Sequence, residues 1–296
     1  MTAATHAIHI LDVFAESPLS GNQLAVVEAA GDLSTDQMQA IALETNFSET
    51  TFITGPEQAD GGFPVRIFTP AAELPFAGHP TLGTAWLIRN RLLSDRPDEV
   101  LLNLGVGQVP VTFEETEGVE VGFLRAPEAT LGDIVAAQDV APTLGLSIAD
   151  IDDALPAQQV SAGLDFLIVP LRNAAALSRC QPSRDGFEKL ASRGIRPFVY
   201  AFCQEAMSPE NDLGARFFFD ANGIREDPAT GSATGALGGY LLHNRYSSES
   251  DFFLRIEQGV QMGRPSLLRL RGSLGNGAVT VSVGGRVFHT VRGELL

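Results

Sequence analysis

Lysine is nearly missing from this chain. Among 296 residues only Lys189 carries an ε-ammonium, in a helical-looking stretch (Arg184 to Arg193) where a solvated face is its ordinary fate. Schiff-base chemistry, pyridoxal phosphate included, would rest on that single residue and is set aside. Cysteine is almost as scarce. Cys180 and Cys203 are the only two, so there is no disulfide framework and no CxxC metal or redox motif. Apolar runs are short, none approaching the ~18 residues that read as a bilayer span. Met1 to Ile10 lacks the basic and apolar regions of a signal peptide, so a cytoplasmic protein without membrane attachment is expected. Positive charge is outnumbered, at a net −16, which argues against nucleic acid because phosphate needs a basic surface. A small anionic substrate is still allowed, since helix termini and one or two arginines can make one pocket locally positive. No HxxxH or His/carboxylate cluster has metal spacing, so no metal is assigned.

What the chain does have is glycine in two matching places. Gly78-His79-Pro80-Thr81-Leu82-Gly83 runs into the apolar Ala85, Trp86, Leu87 and Ile88. Gly231-Ser232-Ala233-Thr234-Gly235 runs into Leu237, Tyr240, Leu241 and Leu242. Gly78 and Thr81 fall opposite Gly231 and Thr234 at a constant offset (231 − 78 = 153). After one slipped residue, Asn90-Arg91 falls opposite Asn244-Arg245. Each segment predicts a helix start, where unpaired N–H groups and a partial positive charge make a cradle for an anion. The repeat predicts two similar domains gripping a small acid from both sides. It is also what a duplication that built two ordinary core helices would leave.

Around these helices the sequence reads mostly as short strands. Ile8 to Phe14, Leu24 to Val27, Phe47 to Ile53 and Phe63 to Thr69 come before the first helix, with Ser34 capping a helix over Thr35 to Leu43. Val100 to Leu104, Val109 to Phe113 and Val119 to Leu124 follow it. Ala126-Pro127 to Asp139 reads as a junction, and Ser147 to Asp152 as a helix. Phe166 to Leu171, Phe198 to Cys203, Arg216 to Phe219 and, after the second helix, Phe252 to Gln258, Ser266 to Gly272 and Ala278 to Val283 complete the strands. Helices this apolar belong inside, with each half's sheet wrapped around its own. The expected domains are 1–127 and 128–296, with the last strand, about 284–296, free to return to the first.

Few residues could carry chemistry. Read with period two, Phe47, Glu49, Thr51 and Ile53 share one face. A carboxylate among such neighbours is partly desolvated, which raises its pKa toward that of a general acid or base. Alternatively, Glu49 sits at an open strand end, solvated and inert. His79 lies inside the first glycine turn, where a helix N-terminus disfavours imidazolium and favours a neutral ring. Asp227-Pro228 precedes the second turn, as a common way to begin a helix or as an acceptor at the mouth of the cradle. Ser232 is not the serine of a GxSxG elbow, and reads as a donor to the ligand or as a helix cap.

Taken in order, these segments resemble the PhzF-like isomerases and epimerases, relatives of phenazine-biosynthesis proteins that share the diaminopimelate-epimerase fold. The resemblance rests on five stretches. They are Asp12-Val13-Phe14 with Gly21 to Val27, Asn46 to Phe52, Arg66 to Pro70 with Glu73 to Gly83, Glu226 to Ala233, and Gln258-Gly259 with Met262 to Ser266. It implies an α+β fold of two pseudo-symmetric domains, each a curled, barrel-like sheet around a central helix. It also implies proton transfer at carbon of a small carboxylate-bearing substrate, with no metal or organic cofactor. Glu49 corresponds to the acid/base, with His79 and Asp227 as catalytic partners and Asn22, Gly78, Gly231 and Ser232 as substrate-binding residues. The fold's two-cysteine racemase branch is excluded, because the helix starts carry His79 and Ser232 instead. A homodimer is implied as well. The alternative is a protein that binds a small acid through the same residues without chemistry.

Overall fold

In this computed structural model, residues 5–220, 223–246, 250–275 and 278–295 are described. Packing divides the chain into one unit ending at Leu124 and resuming at Gly284, and a second running from Arg125 to Val283.

The first unit is built on β1 (His6–Val13), β2 (Asn22–Val27), β3 (Glu49–Ile53), β4 (Gly62–Phe68), β5 (Glu73–Leu74), β6 (Glu99–Leu104), β7 (Gly107–Thr116) and β8 (Val119–Arg125). Its helices are α1 (Thr35–Thr45) and α2 (Gly78–Leu87). Ser34 caps α1 in a reciprocal box with Gln37. From His79 to Leu87 every residue of α2 except Trp86 is buried, and strands on both flanks of the sheet pack against it. At ~1.5–3 kcal/mol for each fully buried Leu or Ile, the burial of Leu82, Leu87 and Ile88 holds the sheet to its helix. A Cβ on Gly83 would come within 2.6 Å of Leu24 Cδ2, so only glycine permits this approach of helix to strand.

The second unit holds β9 (Thr130–Ile134), β10 (Gln158–Ser161), β11 (Asp165–Pro170), β12 (Phe198–Cys203), β13 (Leu213–Asp220), β14 (Ile224–Asp227), β15 (Asp251–Gln258), β16 (Ser266–Gly275) and β17 (Ala278–Gly285). Its helices are α3 (Ala137–Val140), α4 (Ala174–Arg179), α5 (Arg184–Ser192) and α6 (Gly231–His243). The run Ala233 to Leu241 of α6 is buried without interruption. The chain then sends β18 (Val287–Leu295) back to the first unit, antiparallel to β1 from His6↔Leu295 to Val13↔Val287. A bulge near Ile10 and Leu11 brings His289 onto the face of His9. There Arg91 Nη2 donates to His289 Nδ1 at 2.9 Å, His289 Nε2 lies 3.0 Å from His9 Nδ1, and His9 Nε2 lies 2.7 Å from Glu28.

The two units repeat one pairing plan. In the first, β1–β2 is antiparallel, β2–β3 parallel, β3–β4 antiparallel, β4–β6 parallel and β6–β7 antiparallel, with β5 on β4. In the second, β10–β11, β11–β12, β12–β13, β13–β15 and β15–β16 follow the same alternation, with β14 on β13. Each series gains one more antiparallel strand at its start, β18 on β1 and β9 on β10. The result is a mixed α+β architecture of curled, unclosed sheet around few helices. The sequence offset survives as shared chemistry. Thr81 Oγ1 donates to Ala77 O at 2.7 Å, and Thr234 Oγ1 to Thr230 O at 3.0 Å. Asn90 Nδ2 donates to Trp86 O and Asn244 Nδ2 to Tyr240 O, each at 3.0 Å.

Some sequence expectations fail locally. Ser147 to Asp152 is only a one-turn 3₁₀ segment, Ile148–Asp150, because Ile151 turns extended and forms an antiparallel bridge with Leu171. The expected junction contains β9, and β10, β14 and α4 were not anticipated.

Candidate active site

Glu49 is the first residue of β3, and Thr51 faces the same way two residues on. Thr51 Oγ1 lies 2.7 Å from Thr84 Oγ1 in α2, and Glu49 Oε2 lies 3.6 Å from His79 Nε2 at the second position of that helix. Two strand residues advance about 6.7 Å and five helical residues about 7.5 Å, so strand and helix stay in step across both contacts. The Glu49 side chain is 16% exposed and that of His79 7%. Asn22 opens β2, two residues before the Leu24↔Glu49 register pair, and its Nδ2 lies 3.4 Å from His79 Nδ1. Asn22, Glu49, Gly78 and His79 therefore meet in the first unit.

Burial pushes His79 down to about 3, against a hydrogen bond to the Gln23 main chain that favours the cation. The ring is neutral across the physiological range. Its Nε2, facing Glu49, has no hydrogen-bond partner among the described residues. Desolvation, rather than the helix terminus, is what keeps the ring neutral.

Asp227, Gly231 and Ser232 lie together in the second unit. Asp227 ends β14 opposite Phe217 on β13, and Gly231 and Ser232 are the first two residues of α6. Ser232 is not the helix cap, because that position belongs to Thr230. Thr230 does not cap either, since its hydroxyl is spent on Asp227 Oδ2 at 2.6 Å. At the start of α2 the capping position is Ala77, which has no hydroxyl to offer. No side chain caps either helix and neither first turn holds an acid, so first-turn N–H groups are offered to other partners.

Sequence reasoning missed the polar group beneath Asp227. Gln258 ends β15, 1% exposed, and donates to Asp227 O at 2.8 Å and to Thr230 Oγ1 at 3.1 Å. Its Oε1 accepts from Thr230 N at 3.3 Å and from Tyr200 OH at 3.2 Å. Tyr200 lies 2.9 Å from Thr234 Oγ1 in α6. The available signal was that Thr230 and Gln258 both stand inside the segments that carry the family resemblance.

Cys180 directly follows α4 and Cys203 ends β12, so neither is at a glycine turn. Burial pushes the Cys180 thiol up to about 12 and the Cys203 thiol up to about 11, so both are protonated and poorly nucleophilic. Among the described residues no group of three His, Cys, Asp or Glu is placed to hold a metal ion.

A family profile for phenazine biosynthesis-like proteins, PhzC-PhzF, matches residues 11–293. The chain belongs to the phenazine biosynthesis-like family. It is similar to the trans-2,3-dihydro-3-hydroxyanthranilate isomerase of Pseudomonas aeruginosa, 35% identical over 298 residues, covering 98% of this chain and 100% of the relative. An uncharacterised isomerase of Mesorhizobium japonicum is 33% identical, covering 97% of each chain. The crystal structure of a Bacillus anthracis phenazine biosynthesis protein of the PhzF family superposes with a TM-score of 0.90 at 26% identity, covering 99% of each chain. This phenazine biosynthesis-like protein is an isomerase acting on a small molecule.

Proposed function

We propose that Glu49 is the proton carrier of a cofactor-independent isomerase whose substrate bears a carboxylate. The observation that carries this reading is the Glu49–His79 pair, a carboxylate 3.6 Å from a buried imidazole kept neutral by desolvation. The reaction breaks a C–H bond of the substrate, with the proton passing to Glu49. The electron pair enters the conjugated system of the substrate, and Glu49 returns a proton to a different carbon. Atoms and electrons balance without oxidant, reductant or metal. His79, which stays neutral, hydrogen-bonds rather than titrates. Asp227 is the acceptor for a substrate amino or hydroxyl group, and each helix start, Gly78 of α2 and Gly231 with Ser232 of α6, offers first-turn N–H groups to a carboxylate. Asn22 holds the His79 ring.

The substrate named for the Pseudomonas aeruginosa relative, trans-2,3-dihydro-3-hydroxyanthranilate, has the required carboxylate and a C–H bond next to unsaturation. It is the first compound to test. Glu49→Gln keeps the shape and loses the transferable proton. The parent should incorporate solvent deuterium into this compound, and the variant should be slower by about 10²–10⁴. Equal label uptake by parent and folded variant would remove Glu49 from the role. A homodimer, supported by the family resemblance, and a cytoplasmic location complete the proposal.

A further inference from the structure

Beneath Asp227 the directions of the hydrogen bonds made by Gln258 and Thr230 can be assigned from groups that have no choice. A main-chain N–H only donates, so the Gln258 atom 3.3 Å from Thr230 N is the oxygen. A main-chain carbonyl only accepts, so the Gln258 atom 2.8 Å from Asp227 O is the nitrogen. The amide orientation is therefore fixed at both ends. Its second N–H is directed at Thr230 Oγ1, 3.1 Å away. That hydroxyl, having accepted, has one proton to give, and Asp227 Oδ2 is 2.6 Å away, a length usual for donation to a charged carboxylate. Tyr200, kept protonated by burial, has its one proton within reach of both Thr234 Oγ1 at 2.9 Å and Gln258 Oε1 at 3.2 Å.

We propose that Thr230 and Gln258 are positioning residues, a one-way chain of hydrogen-bond donation that ends on Asp227 and holds its carboxylate charged and aimed for the substrate. This rests on the reading of Asp227 as part of the site. The two acids next in sequence to Asp227 and Gln258 are committed elsewhere. Glu226 makes a bidentate pair with Arg216. Glu257 accepts from the main chain of Met207 and Ser208 and from Asn211. On the turn that packs over Pro228, Arg264 places its main-chain carbonyl against Gly259. Tyr200 from β12 and Thr234 from α6 are the other polar groups of the cluster, and neither is charged. The chain also explains why α6 begins with a threonine that does not cap it, since its hydroxyl serves the preceding aspartate instead.

The test compares Thr230→Val, which keeps the shape and removes the hydroxyl, with Thr230→Ser, which restores it. In protein labelled with ¹³C at the aspartate carboxyl, the Asp227 resonance is assigned with Asp227→Asn and followed with pH. A donor to a carboxylate favours the ionised form, so Asp227 in Thr230→Val should take up its proton about one pH unit higher than in the parent. Thr230→Ser should titrate like the parent. With trans-2,3-dihydro-3-hydroxyanthranilate as probe, the acidic limb of kcat/KM should move up by the same amount in Thr230→Val, while the plateau above it changes little. An Asp227 titration that stays put in folded Thr230→Val overturns the proposal. So does a carboxylate that moves while the acidic limb stays fixed, which would leave the Glu49 assignment untouched. If the parent does not turn the probe over, the functional reading is what fails, and the carboxylate titration still decides the chain of donation.

Discussion

His79 makes the stability of the first unit depend on pH in a calculable way. In the unfolded chain an imidazole titrates near 6.5, and in the folded protein burial takes it to about 3. The folded pKa is depressed below the unfolded one, so between those values the unfolded state binds the extra proton. Stability is therefore present in full above 6.5 and is lost as pH falls toward 3. One pKa unit is worth about 1.36 kcal/mol, so this residue alone costs the fold ~2 kcal/mol between pH 7 and pH 5. His79→Gln substitutes a side chain that stays neutral, which removes this slope whatever it does to absolute stability. The assay is urea unfolding of both proteins at several pH values. Emission from Trp86, the only tryptophan and a residue of α2, reports the same unit. His9 and His289, also shifted down by burial, are common to both proteins and cancel in the comparison. The parent should lose ~2 kcal/mol more than the variant over that interval. Parallel loss would mean that His79 is not buried in neutral form, and the site electrostatics would have to be rebuilt.

Three further outcomes are expected. Gly231→Val should cripple binding of 3-hydroxyanthranilate, the aromatic analogue of the proposed substrate, because a β-carbon obstructs approach to the α6 N-terminus. Ser232→Ala keeps the N–H and should lose only ~0.5–1.5 kcal/mol, about three- to tenfold in affinity. Calorimetry on variants with an unchanged cooperative melt measures both, and equal damage would make the Ser232 hydroxyl the principal contact. Sedimentation equilibrium at micromolar protein should give twice the mass of the chain, and a monomer would remove the homodimer from the proposal.

The parts of the fold legible in the sequence were those where burial writes a pattern. The apolar runs after Gly78 and Gly231 identified α2 and α6, and Phe198 to Cys203 identified β12 to the residue. The parts that were not legible are held by pairing rather than by apolar residues. Strand β9, Thr130–Ile134, is exposed at most positions, and β14, Ile224–Asp227, carries Arg225, Glu226 and Asp227 in four residues. Ser147 to Asp152, expected as a helix, closes a single turn before Ile151 is drawn into a bridge with Leu171, a pairing remote in sequence. At the candidate site, each anticipated residue belonged to a short motif. Gln258 went unnoticed because its partners lie 58 residues away at Tyr200 and 28 away at Thr230, and no local spacing encodes a bond of that kind.

The return of β18 to β1 has a consequence for how the protein is made. Among the described strands the earliest in the chain is paired with the latest, so β1 must wait, one edge bare, until Val287–Leu295 has been synthesised. The later-made unit can finish folding before the earlier one, and the order of completion runs against the order of translation. A premature stop just before Val287 would strip a nine-residue partner strand from the unit that holds Glu49 and His79 while removing nothing from Asp227 and α6. Proteolytic surveillance of such fragments should therefore begin at the N-terminal strands, whose exposed edge marks the chain as unfinished.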